Sequence, residues 1–254
     1  MKERIKTILR RFPHLYRALQ RCYGRVLVVA ESLAGTNIDE REERRWAGRH
    51  LSEGNNWAIS GYWDVRDHPA TKFLVERIKT FSPFSSVLEV GCNCGPNLFL
   101  VAKNFPKAEL KGIDISPMAI QRGNELLLKE GLLNVKLLVG KANDLSQFPD
   151  KSFDVVFAKA VLSHIGPSKI RKVIEEMVRV SKRNLILVEY HEPLRKDESA
   201  ALGIRLGYSY RWKRNYLALL RKFVPGAKIN IIKIPKAVWG GEWAEMGYLI
   251  EVIF

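Results

Sequence analysis

From residue 85 onward short apolar runs alternate with stretches of helical periodicity, and this alternation limits the fold more than any other feature of the chain. A chain that passes through a helix between successive strands builds a mostly parallel sheet covered on both faces, the α/β class. Strands are predicted at residues 86–90, 109–113, 135–139, 153–157 and 184–189. Helices are predicted at 97–104, 117–130 and 168–181, with a weak turn at 143–148. Ser116 ahead of Pro117 gives one helix an N-cap side chain and a proline in its first position, and Gly131 gives the same helix a C-cap. A polar, basic stretch at 192–210 precedes an amphipathic helix predicted from Trp212 to Phe223. The closing runs "KINIIKIP" and "MGYLIEVIF" read as an antiparallel pair of edge strands. The first strand, "SSVLEV", runs through the glycine turn "GCNCG" directly into a helix.

Residues 1–84 follow helical rather than alternating order and are expected to form an N-terminal helical extension and a lid, with 85–254 as the sheet domain and 192–225 as an insert on its substrate side. Between Ile5 and Val26 apolar residues recur at spacings of three and four, with Lys and Arg on the opposite face and Pro13 dividing the helix. The formal net charge of +15 is concentrated in two segments. Residues 1–26 carry eight Lys/Arg against one acid, and residues 195–236 carry eleven against two. Basic segments of this kind attract nucleic acid, anionic lipid surfaces or anionic substrates. No run approaches the ~20 apolar residues of a membrane-spanning helix, and a cytoplasmic protein is expected. Its basic N-terminal helix would either touch the anionic inner membrane surface peripherally or dock on the core or on a second subunit. The three cysteines are Cys22, Cys92 and Cys94; the spacing of the last two suits neither a disulfide nor a zinc knuckle, and no metal site is expected.

A glycine turn between strand and helix points backbone N–H groups at the carboxyl edge of the sheet, where cofactors bind. Asp114 ends the next strand 23 residues after Gly91, where a carboxylate can accept hydrogen bonds from ribose hydroxyls. The turn lacks the full GxGxxG of dinucleotide sites and places Glu89 at the strand end. A pyrophosphate is repelled by that carboxylate, whereas a ligand bearing an ammonium and a sulfonium is attracted.

In these motifs the chain resembles the class I S-adenosylmethionine-dependent methyltransferases, in particular the small-molecule group with "VLEVGCGxG". The resemblance covers roughly residues 85–191: "VLEVGCNCG", then "GIDIS", then "GKANDLSQFPDKSFDVVFAKAVLSHI", then "NLILVEYHE". It implies a Rossmann-like, doubly wound, mostly parallel seven-stranded sheet with an antiparallel C-terminal strand, and S-adenosylmethionine as cofactor. It also implies that Gly91, Cys92, Asn93 and Gly95 line the methionine part of the cofactor, with Glu89 towards its amino group. Asp114 would hold the ribose hydroxyls and Ile115 would cover an adenine face. Ala142 and Asn143 would meet the adenine edge, and Ala158 or Lys159 would close the pocket after the fourth strand. Two positions depart from the pattern: Lys141 stands where an acid often precedes the alanine, and Asn93 replaces a glycine. Asparagine tolerates left-handed φ, so Asn93 is expected to keep the turn and to offer its amide to the methionine end.

Methyl transfer is an in-line displacement, and a hydroxyl acceptor gains from a base. The candidate catalytic residues are His164 after the fourth strand and Glu189 and His191 after the fifth, with packing as the alternative for each histidine. Candidate substrate contacts are Trp63 in the lid, Tyr190, and Tyr208, Tyr210 and Arg211 in the basic insert. The expected function is methylation of a small molecule, sugar or lipid-linked glycan, most readily at oxygen. The alternatives are an RNA acceptor, on the strength of the charge, and a cofactor-binding partner protein without catalysis.

Overall fold

The computed structural model describes residues 38–49, 61–195, 197, 201–206 and 211–254. The predicted N-terminal amphipathic helix and the candidate contacts Tyr208 and Tyr210 lie outside the described residues.

Helix α1 (Ile38–Ala47) and helix α2 (Pro69–Lys79) precede the sheet. The alternating order then runs β1 (Ser86–Val90), α3 (Pro96–Asn104), β2 (Glu109–Asp114), α4 (Pro117–Lys129), β3 (Val135–Val139) and β4 (Phe153–Lys159). A short 3-10 turn (Leu162–His164) leads to α5 (Ile170–Val180) and β5 (Ser181–Tyr190). The remainder comprises β6 (Ile204–Arg205), β7 (Trp212–Lys213), α6 (Tyr216–Leu220), β8 (Lys228–Lys233), α7 (Glu242–Met246) and β9 (Gly247–Ile253).

Seven strands form one sheet in the order β3-β2-β1-β4-β5-β9-β8. The five strands from β3 to β5 are parallel, and β9 is antiparallel to both β5 and β8. The antiparallel C-terminal strand therefore lies one place in from the edge, with β8 outermost. Strand order reverses between β1 and β4, and the crevice at the carboxyl ends of those two strands is where open α/β sheets bind ligands.

Side chains of the central strands alternate between two cores, as the period of a strand requires. Val87, Val155, Phe157, Ile186 and Val188 join the core on the side of α2 and α3. Leu88, Val90, Val156, Leu185 and Leu187 join the one on the side of α5 and α6. Leu74 and Ile78 of α2 are fully buried in the first core, and Arg77 pairs with Glu251 of β9 at 2.7 Å, so α2 packs as part of the sheet domain.

The helix predicted from Trp212 to Phe223 is shorter than its periodicity implies. Trp212 and Lys213 pair with Arg205 and Ile204 as strands, and the helix begins only after Asn215, whose side chain caps the Ala218 N–H at 3.0 Å. The buried Arg214 guanidinium explains the extended backbone: it donates to the carbonyls of Leu202, Leu162 and Ile165, contacts that a helix through this segment would not align.

Candidate active site

The turn after β1 holds three left-handed residues, Gly91 (φ 77), Asn93 (φ 49) and Gly95 (φ 81). A Cβ on Gly91 would come within 2.4 Å of Val161, so the turn and the β4 exit touch only because that atom is missing. Gly95 faces inward, its missing Cβ lying 3.2 Å from Leu127 and Leu137; it supports packing and lies off the cavity wall, against the expected cofactor contact. The turn also differs from an anion cradle. Gly91 and Cys92 N–H groups donate to the Ile113 carbonyl (2.8 and 2.9 Å) and Gly95 to that of Cys92 (2.9 Å). Asn93 N–H donates to Asp114 (2.9 Å), and Cys94 N–H donates to the Asn93 side chain (2.7 Å). The N–H groups of the turn, residues 91–95, are thus spent inside the protein and are not turned to a ligand anion. Asn93 keeps the left-handed turn as expected, and its amide oxygen closes the turn itself. Cys92 and Cys94 are buried free thiols, and burial pushes Cys94 up to about 12. No group of three metal-ligating side chains occurs among the described residues.

The turn opens onto a cavity of about 440 Å³ at the carboxyl ends of β1, β2 and β4. Asp114 lines it as predicted. Its Oδ1 accepts from Ser116 N–H and its Oδ2 from Asn93 N–H, each at 2.9 Å, which fixes the carboxylate and leaves each oxygen lone-pair capacity for a ligand hydroxyl. Burial raises the Asp114 carboxyl, and the backbone N–H bonds of Ser116, Asn93 and Ile115 pull it back down. Cys92, Asn93, Ile115, Ala142, Asn143 and Lys159 also reach the cavity wall.

Glu89 is set one layer back. It is fully buried, and its Oε1 accepts from Asn97 Nδ2 at 2.6 Å, so Asn97 rather than Glu89 forms the wall. Burial raises the Glu89 carboxyl to about 8. The opposite end of the Asn97 amide accepts from Lys159 Nζ at 2.9 Å, and Lys159 also donates to Thr71 Oγ1 at 2.9 Å. Burial lowers the Lys159 ammonium to about 8, with Glu89 acting against the shift.

Helix α1 closes one side of the cavity. Asp39, Glu42, Glu43 and Trp46, spaced by three and four, present one helical face to it. Asp39 accepts from the Ser168 N–H and hydroxyl, and Glu43 takes both Lys169 and Lys141, the latter at 3.2 Å. The unexpected Lys141 thus serves to tie down α1. Asp144, nearby in sequence, is exposed and bonds to Ser146 N–H instead.

The three candidate bases separate. His164 lines the cavity, edge-on to Trp46 with ring centroids 4.7 Å apart. Glu189 is fully buried and lies off the wall: its carboxylate accepts from the N–H groups of Val161 (2.8 Å), Leu162 (2.7 Å) and Ser163 (3.0 Å), so it holds the β4 exit in shape. His191 is also buried, accepting the Tyr216 N–H at 3.2 Å, and burial lowers it to about 4. Neither of these two lines the cavity.

Among the predicted substrate contacts, Tyr190 and Arg211 line the cavity, whereas Trp63 is buried in the core against Phe99 at 5.3 Å. Arg211 donates to the Tyr190 hydroxyl at 2.8 Å and pairs with Glu242 at 2.7 Å. Sequence reasoning missed the wall that Tyr190 belongs to. Trp243 packs on Tyr190 at 4.3 Å and stacks on Trp239 at 3.9 Å, with His68 beyond it at 5.8 Å. The only local hint is the spacing of two tryptophans by four residues in "WGGEW".

Residues 87–184 match the methyltransferase domain family. The chain is 34% identical over 126 residues to a 2-methyl-6-phytyl-1,4-hydroquinone methyltransferase of Synechocystis, covering 50% of this chain and 38% of the relative. It is 25% identical over 178 residues to a human tRNA N(3)-cytidine methyltransferase, covering 65% of this chain and 60% of the relative. It spans less than two thirds of the length of either relative. The fold is shared with a methyltransferase from Aquifex aeolicus (TM-score 0.51, 20% identity, 70% of this chain and 87% of that one). It is shared too with a geranyl diphosphate methyltransferase (TM-score 0.54, 14% identity, 72% and 77%). With the glycine turn, the acid-ended second strand and the matched segment in agreement, residues 87–184 form a methyltransferase domain of the class I, S-adenosylmethionine-dependent kind.

Proposed function

We propose that the protein methylates a small, largely apolar acceptor, most readily at a hydroxyl oxygen. The observation that carries this reading is the single cavity running from Asp114 and the glycine turn to the Tyr190–Trp243–Trp239 wall, a volume of small-molecule scale. S-Adenosylmethionine, when bound, supplies a methyl group on a sulfonium. The residues present suit it: the Asp114 carboxylate has capacity for two hydroxyls, and Ile115, Ala142 and Val161 offer apolar cover for a flat base. The aromatic wall would orient the acceptor and keep water from the reacting atoms, which is the larger part of catalysis for a displacement of this type. His164 is the candidate base still at the cavity wall and would take the hydroxyl proton.

A second reading, an RNA acceptor, draws on the net charge of +15 and on the human tRNA-modifying relative. The acidic face of α1 weighs against it, because Asp39, Glu42 and Glu43 border the cavity and Glu43 already engages Lys141 and Lys169. A phosphate backbone entering there would meet carboxylates. A cofactor-binding partner protein without catalysis is the third reading.

The test is to incubate the protein with methyl-labelled cofactor and cell extract separated into lipid, glycan and RNA pools. Label in the lipid or glycan pool is expected. Label confined to RNA would replace the first reading with the second, and cofactor binding without label in any pool would leave the third. A peripheral membrane role for residues 1–26 is part of the proposal. Flotation with anionic vesicles should recover the full chain and lose a chain lacking those residues; equal recovery would remove that role.

A further inference from the structure

Lys159 is a half-buried cation at the cavity wall whose hydrogen-bond partners are all neutral. Its Nζ lies at the cavity wall and makes two hydrogen bonds, to Thr71 Oγ1 and Asn97 Oδ1, both at 2.9 Å and both to neutral groups. No ion pair to it occurs among the described residues; Glu89, the nearest acid in charge terms, is reached only through the Asn97 amide. The other basic groups around the cavity differ in this respect, since Lys141 and Lys169 pair with Glu43 and Arg211 pairs with Glu242. An ammonium has three protons and two of these are used in hydrogen bonds; the Trp239 ring, 5.2 Å from Nζ, supplies a further contact but no counter-charge, so the net charge remains for a ligand. The two neutral partners also hold the side chain in place. Thr71 Oγ1 donates to Asn97 Oδ1 at 3.2 Å, and Asn97 is itself anchored on Glu89, so the ammonium is fixed from two elements, α2 and α3. A charge held partly buried without a counter-ion is costly, and the cost is recovered if an anion binds.

We propose that Lys159 binds the carboxylate at the amino-acid end of the cofactor, making it the residue by which this site distinguishes a ligand with that carboxylate from one without it. The assignment rests on the methyltransferase reading above, which seats the amino-acid end of the ligand at the glycine turn; Asn97, the second residue of the helix that follows, is a residue Lys159 touches. The arrangement suits a carboxylate, because a fixed ammonium at a cavity wall makes a charge-assisted hydrogen bond roughly twice as strong as a neutral one.

Calorimetry with S-adenosylhomocysteine and its decarboxylated analogue tests the assignment. The proteins compared are the wild type, Lys159→Gln, which keeps amide donors for Thr71 and Asn97, and Lys159→Arg, which keeps the charge. The wild type is expected to bind S-adenosylhomocysteine more tightly than the analogue. Lys159→Gln should weaken S-adenosylhomocysteine about tenfold while leaving the analogue within about twofold, and Lys159→Arg should recover part of the loss. Equal weakening of both ligands by Lys159→Gln, or no weakening of either, overturns the assignment while the methyltransferase reading stands. Failure of the wild type to bind S-adenosylhomocysteine at all overturns both.

Discussion

The chain leaves β4 through residues 159–164 and β5 through residues 190–192, and each exit brings a histidine and a charged group to the same edge of the sheet. At the first exit Lys159 and His164 line the cavity. At the second only Tyr190 does, while Glu189 and His191 on either side of it are buried behind the wall. The difference follows from strand parity. Val188 and Ile186 face the same core as the residues flanking Asn97, and Tyr190 continues that face; Glu189 continues the face of Leu187 and Leu185, away from the cavity. The β5 exit became the support for the β4 exit, its carboxylate gathering three consecutive N–H groups of the turn that carries His164.

Five substitutions break or sharpen this contrast. His164→Ala should lower methyl transfer to a hydroxyl acceptor by 10²–10⁴-fold, the usual worth of a positioned base, with the melting temperature unchanged. An equal rate would remove His164 from the chemistry. Glu189→Ala strands three N–H groups of a buried turn and should cost about 3 kcal/mol of stability in urea unfolding. A fully stable Glu189→Ala protein with impaired turnover would reverse the roles given to the two exits.

The exit of β1 offers a third point of comparison, because there the backbone itself is the constraint. Asn93→Val places a β-branched residue at φ 49 and removes the Cys94 N–H acceptor, for a cost of about 2 kcal/mol and weakened cofactor binding. Asn93→Gly should bind cofactor nearly as the wild type does, read by the same calorimetry. The smallest effect is expected at His191, where His191→Phe loses one hydrogen bond and should cost about 1 kcal/mol at neutral pH. Its signature is pH dependence. The unfolded chain takes up a proton near pH 6.5 that the folded chain refuses until about pH 4, so the His191 contribution is present above 6.5 and lost as pH falls through that window. Burial raises Glu189 from 4.5 to about 7, so its contribution runs the other way, present below pH 4.5 and lost as pH rises to 7. Acidification from pH 7 to pH 5 should therefore shift the urea midpoint less favourably for the wild type than for His191→Phe, Glu189 contributing equally to both; parallel shifts would remove the His191 contribution.

The sequence alone determined the five parallel strands to within a few residues at their ends: β1, β4 and β5, buried on both faces, carry apolar runs, and the more exposed β2 and β3 were placed by the alternation with helical stretches. It also determined the glycine turn, the left-handed tolerance of Asn93 and the place of Asp114, since these depend on backbone conformation and on position along one βαβ unit. Tertiary structure decided which polar groups face the ligand. Thr71, Asn97 and Lys159 meet from three elements, and Glu43 reaches Lys141 across 98 positions, so no local pattern announces either cluster. The same holds for Glu89, expected towards the cofactor, and Glu189, expected as a base: each is next to last in its strand, and the packing of the neighbouring elements makes both buried acceptors behind the wall. A charged residue at a strand end is free to serve chemistry or to satisfy backbone donors, and the choice is made by which N–H groups the fold brings within its reach.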